Sequence, residues 1–225
     1  MNHNDPNRRT DVLAGDSLKS GDPIGWFEML YAEAIEGRAT IPWDRGTVHP
    51  LIAEWTNKNA IDGSGRSAIV VGCGTGDTAE FIAELGFATT AFDVSESGIS
   101  IANQRFPDSH VDYLVADVFD LPGSWTHGFD LVVEVFTVQA LPVTLRTSAF
   151  QSVASLTAPG GHLILVAAGK NEVTPFGSGP PWPLVQADID AFTGTGLEST
   201  VIERISVEGD AEFFHWRAEY VRNAG

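Results

Sequence analysis

A glycine-rich turn and an aspartate are the residues of this chain whose spacing indicates a binding site. The apolar run Ala68–Val71 leads into the turn Gly72–Gly76, and a second apolar run ends at Asp93. Glycines let a ligand approach the backbone closely, and an acid at the end of the second strand can accept hydrogen bonds from both ribose hydroxyls. The pattern predicts a nucleoside site. The alternative, that the glycines only permit tight packing, is disfavoured by the position of Asp93 at the strand end.

The residues around the turn narrow the choice of nucleoside. A dinucleotide fingerprint needs a third glycine inside the helix, where this chain has Asp77, whose charge would repel a pyrophosphate. No Gly-Lys-Ser/Thr phosphate loop follows either. S-adenosylmethionine, which has no phosphates and carries a sulfonium cation, suits such an acidic site. Asp117 could accept the adenine amino group, and its alternative is an Asx turn that closes the third strand.

Strands and helices alternate after residue 66, as is typical of a parallel sheet with helices on both faces. The predicted parallel strands are Ala68–Val71, Ala88–Phe92, Val111–Val115, Phe129–Val135 and His162–Ala167. Two further strands, Leu197–Ser206 and Glu212–Val221, are separated by too few residues for a helical crossover. We expect these two to form an antiparallel hairpin at one edge of the sheet.

The N-terminal third has a different composition. Residues 1–22 are polar and predict a flexible arm. Residues 23–65 contain two predicted helices, Ile24–Glu36 and one that starts at His49-Pro50. Residues 23–225 are expected to form a single domain.

Charge and cysteine content exclude several classes of protein. The 225 residues include 30 Asp and Glu against 13 Lys and Arg, a net charge of −17 that disfavours nucleic acid and anionic membranes as partners. Cys73 is the one cysteine, so no internal disulfide or cysteine-rich zinc site is expected, and no metal is predicted. Without an apolar run of about 20 residues or a secretory signal at the start, a soluble cytoplasmic protein is the expectation.

Taken together, the motifs resemble those of the class I S-adenosylmethionine-dependent methyltransferases. The matching segments are Val70–Gly76, Phe92–Ser95, Ala116–Phe119, Phe129–Glu134 and Leu156–Gly161. The resemblance runs from Ser67 to the C-terminus. It implies an α/β fold with a Rossmann-like, doubly wound, seven-stranded sheet, mostly parallel with an antiparallel C-terminal strand. Many members have an acid in place of Val70 that contacts the methionine amino group.

A narrower resemblance is to the thiopurine and thiol/halide methyltransferases. It rests on the segments Ile41–Gly46, Gly72–Asp77, Phe92–Ser97, Asp117–Phe119 and Gly179–Trp182. In that group an N-terminal tryptophan region folds over the cofactor. The resemblance therefore implies that residues 23–65 form an N-terminal helical lid, with Trp43 and Trp26 over the cofactor.

The cofactor site predicted from the turn, the strand ends and the resemblance has eleven residues. They are Trp26, Trp43, Gly72, Cys73, Gly74, Gly76, Asp93, Val94, Asp117, Val118 and Glu134. Gly72–Gly76 would hold the amino acid tail, Asp93 the ribose, and Asp117 with Val118 the adenine. Glu134 could receive the amino group in place of an acid at Val70, or it could be a strand-end acid that reaches water.

The acceptor side carries fewer signals. Phe136 and Gln139, after the fourth strand, could face the acceptor, and Trp182 could wall the pocket mouth or anchor a surface loop. His49 is the candidate general base, with a capping or packing histidine as its equal alternative.

The predicted function is methyl transfer from S-adenosylmethionine to a small-molecule acceptor, a thiol or a hydroxylated aromatic, by in-line displacement. The alternatives are a non-catalytic S-adenosylmethionine-binding protein and a nicotinamide-dependent oxidoreductase, which Asp77 disfavours.

Overall fold

Seven strands form one mixed sheet. The computed structural model describes residues 6–171, 180–207, 209 and 213–224. The strands are β1 (Ser67–Val71), β2 (Ala88–Asp93), β3 (Asp112–Val115), β4 (Phe129–Val135), β5 (Thr157–Lys170), β6 (Leu197–Ser206) and β7 (Phe213–Arg222). Their spatial order is β3-β2-β1-β4-β5-β7-β6. Strands β1 to β5 pair in parallel, and β7 lies antiparallel between β5 and β6, which confirms the predicted fold class.

Seven α-helices accompany the sheet in the described ranges. They are α1 (Pro6–Ser20), α2 (Gly25–Ile35), α3 (Pro50–Lys58), α4 (Asp77–Glu84), α5 (Glu96–Arg105), α6 (Arg146–Ser155) and α7 (Gln186–Ala191). Short 3₁₀ turns occupy Gly123–Trp125, Val138–Ala140, Val143–Leu145 and Phe192–Thr195. Among the described residues, no helix has both the length and the apolar character that a membrane span requires.

The central strands β1 and β4 are buried on both faces, which explains their continuous apolar runs. In β1, Ile69 and Val71 pack in the core that contains α6 and α7, whereas Ala68 and Val70 pack in the core that contains α3, α4 and α5. This alternation is the period-2 geometry of a strand. The central strands are therefore held firmly, and their ends provide a fixed edge for a site.

The flexible arm predicted for residues 1–22 is instead helical over Pro6–Ser20. Leu13 and Ala14 of α1 are buried against Trp26 and Leu30 of α2 in a small separate core. Arg9 on α1 also forms an ion pair with Glu33 on α2. The polar composition of the exposed face concealed this short apolar stripe. Residues 1–5 of the predicted arm, together with Gly179 of the Gly179–Trp182 motif, lie outside the described residues.

The register brings the predicted site residues to one edge of the sheet. Val71, the last residue of β1, pairs with Phe92 on β2 and with Glu134 on β4. The turn after β1 therefore lies between Asp93 and the segment after β4. This is the carboxyl edge of the parallel strands, where open α/β sheets bind their ligands.

Candidate functional site

A cavity of about 390 Å³ opens at this edge, between the strand ends and the N-terminal helices. Twelve of the residues singled out from the sequence line it. They are Trp26, Trp43, His49, Gly72, Cys73, Gly74, Asp93, Val94, Asp117, Val118, Phe136 and Gln139. Three others, Gly76, Glu134 and Trp182, do not line it. Most of the residues singled out from the sequence thus lie around one continuous space.

Asp93 is the buried acid of the cavity wall. Its Oδ2 accepts a hydrogen bond from the Gly74 amide at 3.0 Å, and its Oδ1 accepts one from the Ser95 amide at 3.0 Å. Burial raises the pKa of Asp93, and these backbone hydrogen bonds oppose the rise. Each carboxylate oxygen has two lone pairs, so each can accept one further hydrogen bond. That capacity fits the two hydroxyls of a ribose.

The turn after β1 leaves no room for a side chain at Gly72 or at Gly74. Gly72 has φ +57° and Gly74 has φ +55°, a region that favours glycine. A Cβ on Gly72 would lie 2.5 Å from Thr137 Oγ1, and one on Gly74 would lie 3.0 Å from the Tyr31 hydroxyl. The backbone of the turn therefore lies directly beneath the N-terminal helices, which fits close contact with the tail of a nucleoside ligand.

Three aromatic residues, here called the aromatic cover, lie above the turn: Trp26, Tyr31 and Trp43. The Trp43 indole Nε1–H donates to the Tyr31 hydroxyl at 2.9 Å. Trp43 also meets the Trp26 and Tyr31 rings edge-on, with ring centroids 6.0 Å apart in each case. Burial, and then the Asp93 charge, raise the pKa of the Tyr31 hydroxyl, which therefore stays protonated. Such a cover excludes water from the part of the cavity next to Asp93.

Arg105, the last residue of α5, ties the Trp43 segment to the turn. Its guanidinium donates to both carboxylate oxygens of Asp44, at 3.0 and 2.9 Å, and to Thr75 Oγ1 at 3.1 Å. It also lies 3.3 Å from Asp77. Burial alone would raise the pKa of Asp44, but the hydrogen bonds and charge of Arg105 outweigh it and hold that pKa below its ordinary value. The cluster fixes the Trp43 loop over the cavity.

Replacing Arg105 with glutamine is expected to loosen this loop. Partly exposed ion pairs contribute about 1 kcal/mol or less, so affinity for S-adenosylhomocysteine should fall by roughly fivefold. Isothermal titration calorimetry measures this change. Arg38→Gln, which removes ion pairs with Glu33 and Glu36 away from the cavity, should leave the affinity unchanged. Equal losses in the two variants would contradict the role given to Arg105.

Glu28 of α2 fixes the N-terminal layer to the helix that follows Asp93. Its Oε2 accepts from Ser95 Oγ at 2.6 Å and from the Ser97 amide at 3.0 Å, and its Oε1 accepts from Ser97 Oγ at 2.6 Å. Burial would raise the pKa of Glu28, but these hydrogen bonds hold it below its ordinary value. A carboxylate at a helix N-terminus also interacts favourably with the helix dipole. The contact anchors α2 beside Asp93.

Asp117 forms an Asx turn and also lines the cavity, so its position agrees with both interpretations made from the sequence. Its Oδ1 accepts from the Phe119 amide at 2.9 Å, which is the Asx turn considered from the sequence. The residue also lines the cavity, together with Val118. The turn fixes the carboxylate at the end of the cavity that is farthest from β4, next to β2 and β3.

Two of the three residues that do not line the cavity shape the chain nearby. Gly76, with φ +96°, is the N-cap residue of α4, and a Cβ there would lie 2.5 Å from the Tyr113 hydroxyl. Trp182 is buried, its amide donates to the Gln139 carbonyl at 2.8 Å, and its own carbonyl accepts from Arg146. The preceding Pro180 and Pro181 face the cavity instead.

Glu134, the third, differs from both roles considered for it. Its side chain is fully buried, so it does not reach water, and its Oε1 accepts from the Thr137 and Val138 amides at 2.6 and 2.9 Å. Among the described residues, no group bonds to its Oε2. Burial raises the pKa of Glu134 to about 7. The carboxyl group holds the turn that carries Phe136 and Gln139.

This raised pKa predicts a pH-dependent stability. Between its ordinary pKa near 4.5 and its folded pKa of about 7, the folded chain binds the proton more tightly, so stability falls as pH rises through this window. Glu134→Gln keeps the Oε1 acceptor but cannot ionise. Relative to the native chain, the variant should gain roughly 2 kcal/mol in unfolding free energy between about pH 5 and about pH 8.

Urea unfolding at the two pH values tests this prediction. The exposed Glu84 on α4 provides the control, because Glu84→Gln should leave the pH dependence of the native chain in place. A Glu134→Gln variant whose stability changes with pH as the native chain's does would contradict the prediction.

His49 begins α3 and has the geometry of a cap. Its Nδ1 accepts from the Leu51 amide at 3.3 Å, so the neutral ring carries its proton on Nε2. Burial, and then the charges of Arg45 and His215, lower the pKa of His49 to about 4. Its ring meets Phe136 edge-on at 5.1 Å and His215 at 5.7 Å. A ring held in this way is a hydrogen-bond donor at Nε2 and a poor general base.

Sequence reasoning missed Tyr31, Arg45 and Arg105. Tyr31 follows Phe27 by four residues, so both lie on one face of α2, and this spacing was the available signal. Arg45 lies within the Ile41–Gly46 segment but carries no pattern of its own. In the sequence, Arg105 has the pattern of an ordinary basic residue at a helix C-terminus. Its contact with Asp44 exists only in the folded structure.

Comparison with known proteins gives a consistent result. A family model described as a methyltransferase domain matches residues 68–161. Thiocyanate methyltransferase 1 of Arabidopsis thaliana is 29% identical over 180 residues, covering 77% of this chain and 71% of that protein. A 2-heptyl-1-hydroxyquinolin-4(1H)-one methyltransferase of Mycobacteroides abscessus is 28% identical, covering 68% of each chain. The alignment with the Arabidopsis thaliana protein, over 180 residues, is longer than the segment 68–161 that the family model matches.

A solved structure shares the fold. It is the magnesium protoporphyrin IX methyltransferase of Synechocystis PCC 6803 with bound SAM, which aligns with a TM-score of 0.63 at 16% identity. The alignment covers 96% of this chain and 97% of that chain. At this identity the likeness supports the architecture alone.

Proposed function

Because the chain belongs to the class I S-adenosylmethionine-dependent methyltransferases, we propose that it methylates a small thiol or hydroxylated aromatic compound in the cavity beneath the aromatic cover. One observation carries the proposal. The buried Asp93, the glycine turn after β1 and a wall of aromatic and proline side chains all line the same cavity.

The proposed holding residues follow the cavity from β3 to β4. Asp117 and Val118 would hold the adenine, and Asp93 would accept hydrogen bonds from the ribose hydroxyls. The turn residues Gly72, Cys73 and Gly74 would contact the amino acid tail. These assignments are supported by the spare lone pairs of Asp93 and by the absence of room for any side chain at Gly72 and Gly74.

S-adenosylmethionine supplies an activated methyl group on a sulfonium, and displacement of that group requires in-line alignment with the acceptor. The chain's own part is alignment and exclusion of water, through which proximity can supply about 7–11 kcal/mol. Trp43 and Tyr31 close the cavity above the turn, and Arg105 holds the Trp43 loop in place through Asp44. No residue is given the role of a general base, since His49 is a donor with a depressed pKa.

The proposed acceptor class is supported by the other half of the cavity. Phe27, Phe136, Pro180 and Pro181 add flat apolar walls to the cavity, which suit an aromatic ring. A thiol is partly ionised near neutral pH and needs little help from a base. Two similar proteins are named for thiocyanate and for a hydroxyquinolinone, and both names agree with a nucleophilic sulfur or an aromatic oxygen.

The test is a transfer assay with the purified protein and S-adenosylmethionine labelled in its methyl group. Thiophenols, alkyl thiols, phenols and aromatic amines would be offered in turn, with product identified by mass spectrometry. Methylated thiol or phenol is the expected result. Transfer to amines alone would contradict the acceptor class. Tight binding of S-adenosylhomocysteine without transfer to any acceptor would favour the non-catalytic alternative.

A further inference from the structure

Two side chains in the half of the cavity away from Asp117, Gln139 and His49, can only donate hydrogen bonds to a ligand. The acceptor atom of each already has a partner within the protein. Gln139 lines the cavity and uses its Oε1 to accept from the Ala168 amide, which leaves its Nε2 as the group that can bind a ligand there. His49 uses its Nδ1 to accept from the Leu51 amide, which fixes the Nε2–H tautomer. Because a backbone amide N–H can only donate, the Ala168 amide fixes which end of the Gln139 side chain is Oε1, and the Leu51 amide fixes the tautomer of His49. Neither Gln139 Nε2 nor His49 Nε2 has an acceptor among the described residues.

Both donor side chains are part of the folded core. His49 is 7% exposed and Gln139 is 6% exposed, so each is held rigidly and has lost most of its contact with water. Neither Nε2 is among the fully buried side-chain atoms that have no partner, so both donors remain accessible from the cavity. A ligand with lone pairs at this position can accept hydrogen bonds from both.

Arg45 adds a positive charge to the same half of the cavity. Among the described residues that line the cavity, it is the only Lys or Arg, and it is exposed and forms no ion pair with another described residue. Burial lowers the pKa values of His49 and His215, and the positive charge of Arg45 lowers both of them further. The chain carries a net charge of −17, so a cation without an ion-pair partner at the cavity would attract an anionic ligand against the general charge of the protein.

Three acidic groups of the cavity lie on other elements: Asp93 ends β2, Asp117 follows β3, and Asp11 lies on α1. Asp77, which follows β1, accepts a backbone hydrogen bond from Gly46 and lies 3.3 Å from Arg105. Phe136, which adopts φ +61°, stands between the two halves and contacts both His49 and His215. A bulky residue at positive φ is a strained conformation of the kind that clusters at functional sites.

We propose that Arg45, the Nε2–H of His49 and the Nε2 hydrogens of Gln139 bind the methyl acceptor in its ionised form, as a thiolate or phenolate over the Phe136 ring. The inference rests on the proposed function, and it identifies these three residues as those that determine acceptor specificity. It also explains how the cavity works without a general base.

The chemistry balances without a proton acceptor. A lone pair of the acceptor anion forms a bond to the methyl carbon while the bond from that carbon to the sulfonium breaks, and the bonding pair stays on the departing sulfur. One cation and one anion become two neutral molecules, a thioether or ether and S-adenosylhomocysteine. The acceptor loses its proton to solvent before it binds, and the three donors favour the ionised form.

The test measures the ionisation of a bound probe rather than turnover. 4-Nitrophenol and 4-nitrothiophenol would be titrated by absorbance over a range of pH, free and bound to the protein saturated with S-adenosylhomocysteine. Binding is expected to lower the pKa of the probes by about one unit, a tenfold preference for the anion. Arg45→Gln should remove most of that shift, and Arg45→Lys should keep part of it.

Arg66→Gln is the matched control, because Arg66 carries the same charge but lies beside Phe87 at the starts of β1 and β2, at the opposite edge of the sheet. It should leave the shift unchanged. If neither probe binds, if the bound pKa is unchanged or raised, or if both glutamine variants behave alike, the proposal is overturned. Calorimetry with S-adenosylhomocysteine alone separates the two proposals, since failure of that binding counts against the proposed function and not against the role of Arg45.

Discussion

Replacing Asp93 with alanine is expected to reduce affinity for S-adenosylhomocysteine by at least about a hundredfold, which corresponds to about 2.7 kcal/mol. The carboxylate is proposed to accept from the ribose hydroxyls, and it also holds the Gly74 and Ser95 amides. Loss of these acceptors leaves two buried amides without partners, at about 1–3 kcal/mol of folding stability. Calorimetry and urea unfolding measure the two effects separately.

A second aspartate provides the control for the structural part of that effect. Asp130 on β4 accepts from the Ser67 amide at 2.8 Å and from Ser67 Oγ at 3.0 Å, at the opposite edge of the sheet. Asp130→Ala should therefore lower stability to a similar extent while leaving the affinity unchanged. If Asp93→Ala bound S-adenosylhomocysteine as the native chain does, the assignment of the cofactor site would be wrong.

Gly74→Ala is expected to have the second-largest effect, a loss of roughly tenfold to a hundredfold in affinity for S-adenosylhomocysteine. The positive φ alone costs an alanine about 1–2 kcal/mol. The new Cβ would also lie 3.0 Å from the Tyr31 hydroxyl and 3.7 Å from Trp43 Nε1. Because Tyr31 is buried and cannot move freely, the aromatic cover must shift away from the turn.

Gly65→Ala separates strain from displacement of the cover. Gly65 has φ +74°, and a Cβ there meets no atom within 4 Å. This variant should lose a similar amount of stability and keep its affinity. Quenching of tryptophan fluorescence by acrylamide offers a second measurement, since Gly74→Ala should expose Trp43 and Gly65→Ala should not. Equal affinities in the two variants would show that the cover does not depend on Gly74.

The fold was predictable because its signals are local. Apolar runs such as Ala68–Val71, interrupted by glycine turns, are what strands buried on both faces require, and the short link before β7 allows only a hairpin. Helix α1 was missed because its buried stripe is short, consisting mainly of Leu13 and Ala14. The length of β5 was also missed, because its last residues are strand only through pairing of Lys170 with Phe213.

The placement of a residue in the cavity was predictable where it follows from the residue's place on a strand. Asp93 and the glycine turn are of this kind. Glu134 was not, because whether a strand-end acid turns outward or caps the next turn depends on backbone geometry. Arg105 and Asp44 are 61 residues apart in the sequence, so their pairing could not be read from either segment. Arg45 has meaning only once the fold places it beside His49.

The contacts of Glu28 with Ser95 and Ser97 bear on the order in which ligands enter and leave. They fasten α2 next to the proposed ribose position, as Arg105 fastens the Trp43 loop on the same side. The opposite wall, formed by Pro180 and Pro181, is outside both attachments. In the proposed arrangement the methyl donor would lie beneath fastened elements alone, whereas the acceptor half also has this second wall. Steady-state turnover should therefore follow a sequential route in which the donor associates first and its spent form dissociates last.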